Sequence, residues 1–457
     1  MQKTPTAILV LFALNSCGGK EPAPERHPRT WDTGTLTETY PQFYEEVPRN
    51  LLMISIDTTR KDHIERYGMK GGFPFMNQRA AEGVALDEHT QCSNWTFAGT
   101  TCTLLGRYNI DNGHMPQLSK EGRAPLPDGT PMLASYLGDL GFYSVLVSGN
   151  GWLSDEWANT QGYDDSRKPG VGGAQNLVDV GLQRLQSAMA SGSVDRWFLH
   201  VHLMEPHVPY VPPDGYLDGL DKLDPLPWDV TNQDAHYSVT NTWPDLEPDT
   251  QQLLEDTLRV RYEGEIAYLS DQLDDIWKRF DTEGYLDDTL VVIWNDHGEA
   301  FWEHEVQTHA HHLFGEENDA FLIFWAPNII SDGWSGPTVS VDLVPTLLSL
   351  YGVDPLPPEL TGVPVGQADP ERYRFAASYA RQGMVQSVRR GPHKLQYWWG
   401  GSIVYHNLDS DPGETNDLYD PNDATVQELW GALLPKIRAA DPLIDKTPTC
   451  PAGLECP

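Results

Sequence analysis

From about residue 49 the hydrophobic pattern repeats one plan: an unbroken apolar run, a polar loop, then a stretch with helical spacing. The runs are "NLLMISID" (50–57), "YSVLVSGN" (143–150), "RWFLHVHLMEPH" (196–207), "TLVVIWNDHGE" (289–299) and "AFLIFWAPN" (320–328). Continuous runs of this kind are strands buried on both faces. With helical stretches such as 174–190 and 255–280 between them, they predict an α/β fold: a mainly parallel central sheet sandwiched by helices. After about residue 370 the runs shorten and alternate, as in "SVRRGPHKLQYWW" and "SIVYHNLDSDPGE". That change predicts a small C-terminal antiparallel sheet packed with a helix at about 424–439. Residues 210–250 are rich in Pro, Asp, Asn and Trp and read as a long surface excursion, a wall of a cleft. The main domain is expected over 49–370, a C-terminal subdomain over 371–445 and a tail over 446–457. The chain shows no internal repeat.

The first residues follow a different logic. Lys3 precedes "AILVLFAL" (7–14), which is too short to span a bilayer but suits the apolar core of a signal peptide. The run ends in "LNSC", resembling a bacterial lipoprotein signal over 1–16, with Cys17 as the lipidated first residue. Residues 17–48 hold few large apolars and read as a flexible tether. An exported lipoprotein, anchored on the periplasmic or outer surface through Cys17 alone, is the expectation. Of the 5 cysteines, setting Cys17 aside leaves Cys92, Cys102, Cys450 and Cys456. An even number in an oxidising compartment suggests two disulfides, Cys92–Cys102 and Cys450–Cys456.

Charge narrows the partners. With 31 basic and 66 acidic residues, the net charge is -35. So large an acidic excess argues against nucleic acid and against an anionic membrane surface as general partners. An anionic substrate would need a strong local positive charge.

The polar residues that end the apolar runs suggest where that charge arises. Asp57 closes the first run; Asp296 and His297 close a late one. An Asp at a strand end is commonly a helix cap, but an adjacent Asp–His pair after an apolar run is harder to explain that way. Five of the 15 histidines, His297, His304, His309, His311 and His312, fall between 297 and 312. Their concentration beside carboxylates favours a divalent metal: Ca, Mg, Mn or Zn according to the final donor set. His311 and His312 are adjacent, so on an extended segment at most one faces the site. In "SNWTFAGTTCTLLGRY" (93–108), Thr96 precedes a short apolar helix whose free N–H groups can hold anionic oxygens. A divalent ion beside it would acidify its hydroxyl. These parts suit displacement at phosphorus or sulfur.

In this order, "NLLMISIDTTRKDHIERYG", the Thr96 stretch, "FLHVHLMEPHVPY", "VVIWNDHGEAFWEH", "VSVDLVPTLLSLYGV" and "YHNLDSDPGETNDLY" resemble the successive blocks of the sulfatases, in the alkaline phosphatase superfamily. The resemblance runs from about 49 to about 420 and implies the α/β sandwich with a small C-terminal sheet. It also implies metal ligands at Asp57, Asp296 and His297, and a histidine at His207 that contacts the substrate anion. His309 falls near another basic site residue, and His304 lies in the "DHGE…EH" block, a candidate for a second metal or for substrate. Arg107 is a further candidate for the anion, though an Arg ending a helix more often caps it.

The departures from the family matter as much. Typical sulfatases carry Cys or Ser followed by x-Pro-x-Arg, and that residue is converted to formylglycine. Here the position falls on Thr96, with Ala98 and Thr100 where Pro and Arg stand, so no formylglycine is expected. Thr58 replaces a second metal-binding aspartate. A Thr nucleophile with an Asp–Thr pair resembles the phosphodiesterase and phosphotransferase branches. The expected function is a metal-dependent hydrolase of sulfate or phosphate esters, with Thr96 as nucleophile and metal ligand and His207 and His309 as its catalytic partners. The substrate would be a sulfated or phosphorylated glycan, lipid or small molecule. The alternatives are a transferase of phospho-groups to glycan or lipid, and a degenerate lipoprotein that binds anionic glycans.

Overall fold

The computed structural model describes residues 40–68, 72–118, 124–170, 172–331, 333–444 and 446–457. The signal segment, Cys17 and most of the expected tether lie outside the described residues. Residues 40–48 of that tether are described, and they are docked. Tyr40 N–H donates to Val365 O (3.0 Å) and Tyr44 N–H to Asn328 O (2.8 Å), while Tyr40 and Phe43 pack on the core. Two large aromatic residues suffice to draw this end of the expected tether onto the apolar surface.

The strands in chain order are β1 (Asn50–Ile56), β2 (Val84–Thr90), β3 (Phe142–Ser148), β4 (Asp165–Arg167), β5 (Arg196–Leu203), β6 (Thr289–Asn295), β7 (Ala300–Phe301), β8 (Gln307–Thr308), β9 (Leu322–Trp325), β10 (Trp334–Val339), β11 (Arg374–Ala380), β12 (Gly383–Arg390), β13 (His393–Trp398) and β14 (Ile403–Asn407). Eight form the central sheet, in the order β10-β2-β9-β6-β1-β5-β3-β4. It is mainly parallel, as the unbroken apolar runs predict. β9 is the exception, antiparallel to both β6 and β2. Two apolar layers flank the sheet. One includes the long helix Pro248–Thr282 and the helix Ala174–Met189, the other Leu133–Asp139 and Leu343–Leu350. The long helix extends further toward the N-terminus than the 255–280 periodicity predicts, with Pro248 at its first turn where the missing N–H costs nothing.

Strands β11 to β14 form the small antiparallel sheet, covered by the helix Ala424–Ala440. The 210–250 excursion is partly ordered by a helix at Gln233–Thr240 with Asn232 as its N-cap. Both expected disulfides are present, Cys92–Cys102 and Cys450–Cys456. Among the described residues no helix is long and apolar enough to cross a membrane.

Register decides what happens at the strand ends. β1 lies between β5 and β6, with Ile56 opposite both Leu203 and Asn295. Three parallel strands therefore finish at the same level, in the position where such sheets place their ligands.

Candidate active site

Because β1 and β6 end together, Asp57 and Asp296 emerge side by side. Asp57 N–H donates to Leu203 O (3.0 Å), and Asp296 N–H points at Ile56 O (3.4 Å). The turn after Asp57 is strained: Thr58, a β-branched residue, has φ 50°, a conformation that persists only where its surroundings enforce it. They do so here. Thr58 N–H donates to Asp296 Oδ1 (3.3 Å) and its carbonyl accepts from the Tyr262 hydroxyl (2.8 Å).

Thr96 opens the helix Thr96–Leu105, as its sequence context predicts, with no side chain capping the helix start. Its hydroxyl lies 3.5 Å from both Asp57 Oδ2 and His297 Nε2. Close approach of this helix to the β6 end depends on Gly99, since a Cβ there would meet Asp296 O at 2.6 Å. The Cys92–Cys102 disulfide ties the same helix to the loop before it and occupies both sulfurs. At the far end Gly106 closes the helix in the left-handed conformation.

The two carboxylates have opposite electrostatics. Burial alone would raise Asp57, but His207, His202 and His297 outweigh it and hold its carboxyl well below the usual range. Asp296 is pushed far up, by burial and then by the charge of Asp57. Two buried carboxylates this close cannot both ionise without a counter-charge. His297, buried and facing His309, is lowered to about 3. Its Nδ1–H donates to Gly298 O (2.9 Å), which leaves Nε2 with its lone pair toward Asp57 (3.4 Å) and Asp296 (3.6 Å).

A divalent cation fits this arrangement. Asp57, His202 and Asp296 each offer a ligand atom within 4.8 Å of the others. Asp57 Oδ1, Asp296 Oδ2 and His202 Nε2 are buried without a hydrogen bond. Such unsatisfied buried groups cost about 1–3 kcal/mol each, more when charged. A cation among them would remove that cost.

Two members of the cluster were missed by sequence reasoning. His202 ends β5 beside Asp57, its Nε2 3.6 Å from Asp57 Oδ2, with Nδ1 held by Ser55 Oγ at 2.8 Å. The period of two along "LHVHL" puts His202 and His200 on one side of β5, and Ser55 Oγ touches both. Asn150, at the end of the "YSVLVSGN" run, donates to Asp57 Oδ2 (2.5 Å) and to the Thr96 hydroxyl (3.2 Å). Both lie at the ends of predicted strands, and that position was the available signal.

The remaining candidates divide. The His309 ring stands 4.3 Å from that of His297 and 5.2 Å from that of His207. His309 Nδ1 meets Glu299 Oε1 at 3.0 Å, and burial raises Glu299 to about 7. His207 is half-buried, with Nδ1 on Val208 O (2.7 Å). His304 belongs to a different group, with Glu316, His312 and the Glu414 carbonyl. Of the adjacent pair, His312 joins that group, while His311 Nε2 meets Gln307 O (3.1 Å). Arg107 is not brought to the cluster. It follows Gly106, at the opposite end of a ten-residue helix from Thr96, a rise of about 15 Å, and donates to Pro131 O.

The sulfatase family model matches residues 49–353 of this chain. The chain belongs to the sulfatase family. Choline-sulfatase of Rhizobium meliloti is 24% identical to this family member over 316 residues, 65% of this chain and 60% of the relative. The chain thus spans less than two thirds of that relative's length. Arylsulfatase of Clostridium perfringens is 22% identical over 386 residues, 79% of this chain and 77% of its own. Among solved structures, one in complex with its substrate D-glucosamine-2-N,6-O-disulfate superposes with a TM-score of 0.68 at 15% identity, over 87% of this chain and 100% of its own. Phosphonate monoester hydrolase from Silicibacter pomeroyi superposes with a TM-score of 0.65 at 19% identity, over 87% and 96%. At these identities the superpositions show a shared fold.

Proposed function

We propose that this sulfatase-family protein is a metal-dependent hydrolase of anionic sulfate or phosphate esters, with Thr96 as nucleophile. The observation that carries the reading is the Thr96 hydroxyl, at an uncapped helix N-terminus and 3.5 Å from both Asp57 and His297. Asp57, Asp296 and His297 would hold the metal together with the Thr96 hydroxyl; His202 is added by its position. When bound, the ion supplies positive charge for the ester oxygens and lowers the pKa of a hydroxyl beside it.

The chain's own residues do the rest. Asn150 orients the Thr96 hydroxyl through its amide N–H. The first N–H groups of the helix hold an ester oxygen. The Thr96 hydroxyl passes its proton to Asp57 Oδ2, toward which it points at 3.5 Å, as its oxygen attacks phosphorus or sulfur, and the bond to the leaving alcohol breaks as His207 or His309 donates a proton to it. Water then attacks the Thr96 ester, giving a proton back to that histidine, while the proton held by Asp57 returns to the Thr96 oxygen; the hydroxyl is restored and sulfate, phosphate or the remaining phosphomonoester or phosphonate is released. A hydrated formylglycine can expel its ester group by re-forming a carbonyl. Threonine has no second hydroxyl and needs direct attack at the central atom, which favours phosphorus. Proteins named for sulfate esters and for phosphonate monoesters share this fold, so the preference rests on the threonine alone. The two disulfides fit an exported protein; the proposed lipid anchor at Cys17 rests on the "LNSC" sequence alone.

The test is turnover of p-nitrophenyl sulfate, p-nitrophenyl phosphate and bis-p-nitrophenyl phosphate by metal-loaded protein and by Thr96→Ala. Cleavage that disappears in Thr96→Ala, with metal retained, is the expected result. Undiminished turnover in that variant would reject Thr96 as nucleophile. Metal-loaded wild type inert toward all three esters would reject the hydrolase reading in favour of a transferase or a binding protein.

A further inference from the structure

A second set of metal-type donors lies outside the Asp57 cluster. His304, His312 and Glu316 each place a ligand atom within 4.8 Å of the others. His304 Nδ1 is 2.6 Å from Glu316 Oε1, and His312 Nε2 is 3.5 Å from the same oxygen. An ion pair between His304 and Glu316 would explain the first distance and nothing else. His312 is the anomaly: its side chain is 3% exposed, yet neither ring nitrogen makes a hydrogen bond. A neutral imidazole has one donor and one acceptor to satisfy, and burying both unmade is costly.

The outer contacts have the form that orients metal-bound histidines. His304 Nε2–H donates to Glu414 O (3.0 Å), which leaves Nδ1 as the metal-facing nitrogen; without an ion that nitrogen donates to Glu316 Oε1 (2.6 Å). His312 Nδ1 approaches Glu317 Oε1 at 3.2 Å without hydrogen-bond geometry, and its Nε2 faces Glu316 Oε1 at the centre. Glu317 is itself held, its Oε2 accepting from Asn94 Nδ2 (2.8 Å) and from the His311 N–H (3.1 Å).

We propose that His304, His312 and Glu316 form a second, structural site for a divalent metal of the zinc class. Two imidazoles and one carboxylate suit Zn²⁺ or Co²⁺, whereas Ca²⁺ and Mg²⁺ prefer oxygen donors throughout. Its placement gives it work to do. Glu316 O and Glu317 O accept from Glu299 N–H and Gly298 N–H, both at 2.9 Å. The proposed ligands therefore brace the loop that follows Asp296 and His297. A Cβ at Gly298 would meet Glu316 O at 2.0 Å, so the two backbones run in direct contact. On the other side, Glu414 joins the C-terminal sheet through Lys394 (Nζ to Oε1 2.9 Å) and accepts from Gly315 N–H. A metal here would clamp that sheet to the loop behind the active site.

The experiment counts metal. Demetallated full-length protein, Asp296→Asn, His312→Gln, Glu316→Gln and the Asp296→Asn/His312→Gln double variant are loaded with Zn²⁺, desalted and assayed by plasma mass spectrometry. Circular dichroism confirms that each is folded. Asp296→Asn should keep a full equivalent of Zn²⁺ that excess Ca²⁺ does not displace, and Co²⁺ in that variant should show tetrahedral visible absorption. The double variant should lose both. Wild type should exceed His312→Gln, and also Glu316→Gln, by a full equivalent. Should His312→Gln fail to fold, wild type against Glu316→Gln decides. Zn²⁺ absent from folded Asp296→Asn, or equal contents in wild type and Glu316→Gln, would overturn the proposal.

Discussion

Gly99→Ala tests the geometry of the cluster without touching its chemistry. Gly99 lies three residues after Thr96 on the same helix, and its missing side chain lets the helix rest against Asp296. A Cβ there would stand 2.6 Å from Asp296 O, roughly 0.5–1 Å inside van der Waals contact. Because backbone faces backbone, no side chain can rotate away, so the helix and the Asp296 turn must separate. That displacement acts on Thr96 and Asp296 together. Misplacement of about 1 Å at a reacting group can cost about 10²-fold in rate, and a loss of that order in kcat/KM is expected. Stability should move less. Overpacking costs about 1–3 kcal/mol, and replacing a helical Gly by Ala returns up to about 1 kcal/mol, so the net loss is about 0–3 kcal/mol. Kinetics on bis-p-nitrophenyl phosphate and urea unfolding read the two effects. Gly138→Ala is the control, also within a helix but with nothing within 4 Å of the added Cβ, and it should leave kcat/KM unchanged. A Gly99→Ala enzyme with wild-type kcat/KM would refute the claim that this contact sets the Thr96 position.

Three further outcomes follow from other contacts. Asp296→Asn should lower the content of the metal shared with Asp57 and abolish turnover; metal content equal to wild type would remove Asp296 from the ligand set. Burial raises Glu265 to about 7, opposed by the Val211 N–H it accepts from. The folded carboxyl stays protonated above the ordinary glutamate range, so folding loses stability as pH rises from about 4.5 toward 7, by at most about 3 kcal/mol. Glu265→Gln should flatten that part of the stability–pH curve in urea titrations, and an unchanged slope would count against it. Replacing Cys92 and Cys102 together by Ser should lower stability by about 2–4 kcal/mol; unfolding midpoints would show it, and no change would mean the buried disulfide adds no stability.

Much of this site can be read along the chain because strands that carry a site announce it. Asp57, Asp296 and His297 follow apolar runs, and although a lone Asp there is commonly a helix cap, the adjacent Asp296–His297 pair is harder to explain that way. Thr96 marks a helix start for the same local reason, a polar residue ahead of an apolar stretch closed by glycine. The Cys92–Cys102 and Cys450–Cys456 pairings were also local, each joining near neighbours in sequence.

What the sequence could not decide depends on register and distance. His202 and Asn150 join the cluster only because β1 pairs with β5 and β3 lies next to β5, which brings the ends of separate strands to one level. Arg107 fails to join because a helix of fixed rise carries it away from Thr96, although the two are eleven positions apart in a motif that resembles a site. The five histidines of 297–312 form one cluster in sequence but not in space. Left-handed residues at Trp302, Glu305, Thr308 and Ala310 turn that segment repeatedly, sending His309 to His297 and His304 to Glu316. Periodicity and charge determine what kinds of side chain stand at each strand end. Which of them meet is set by chain reversals and strand order, and those arise from contacts far apart in sequence.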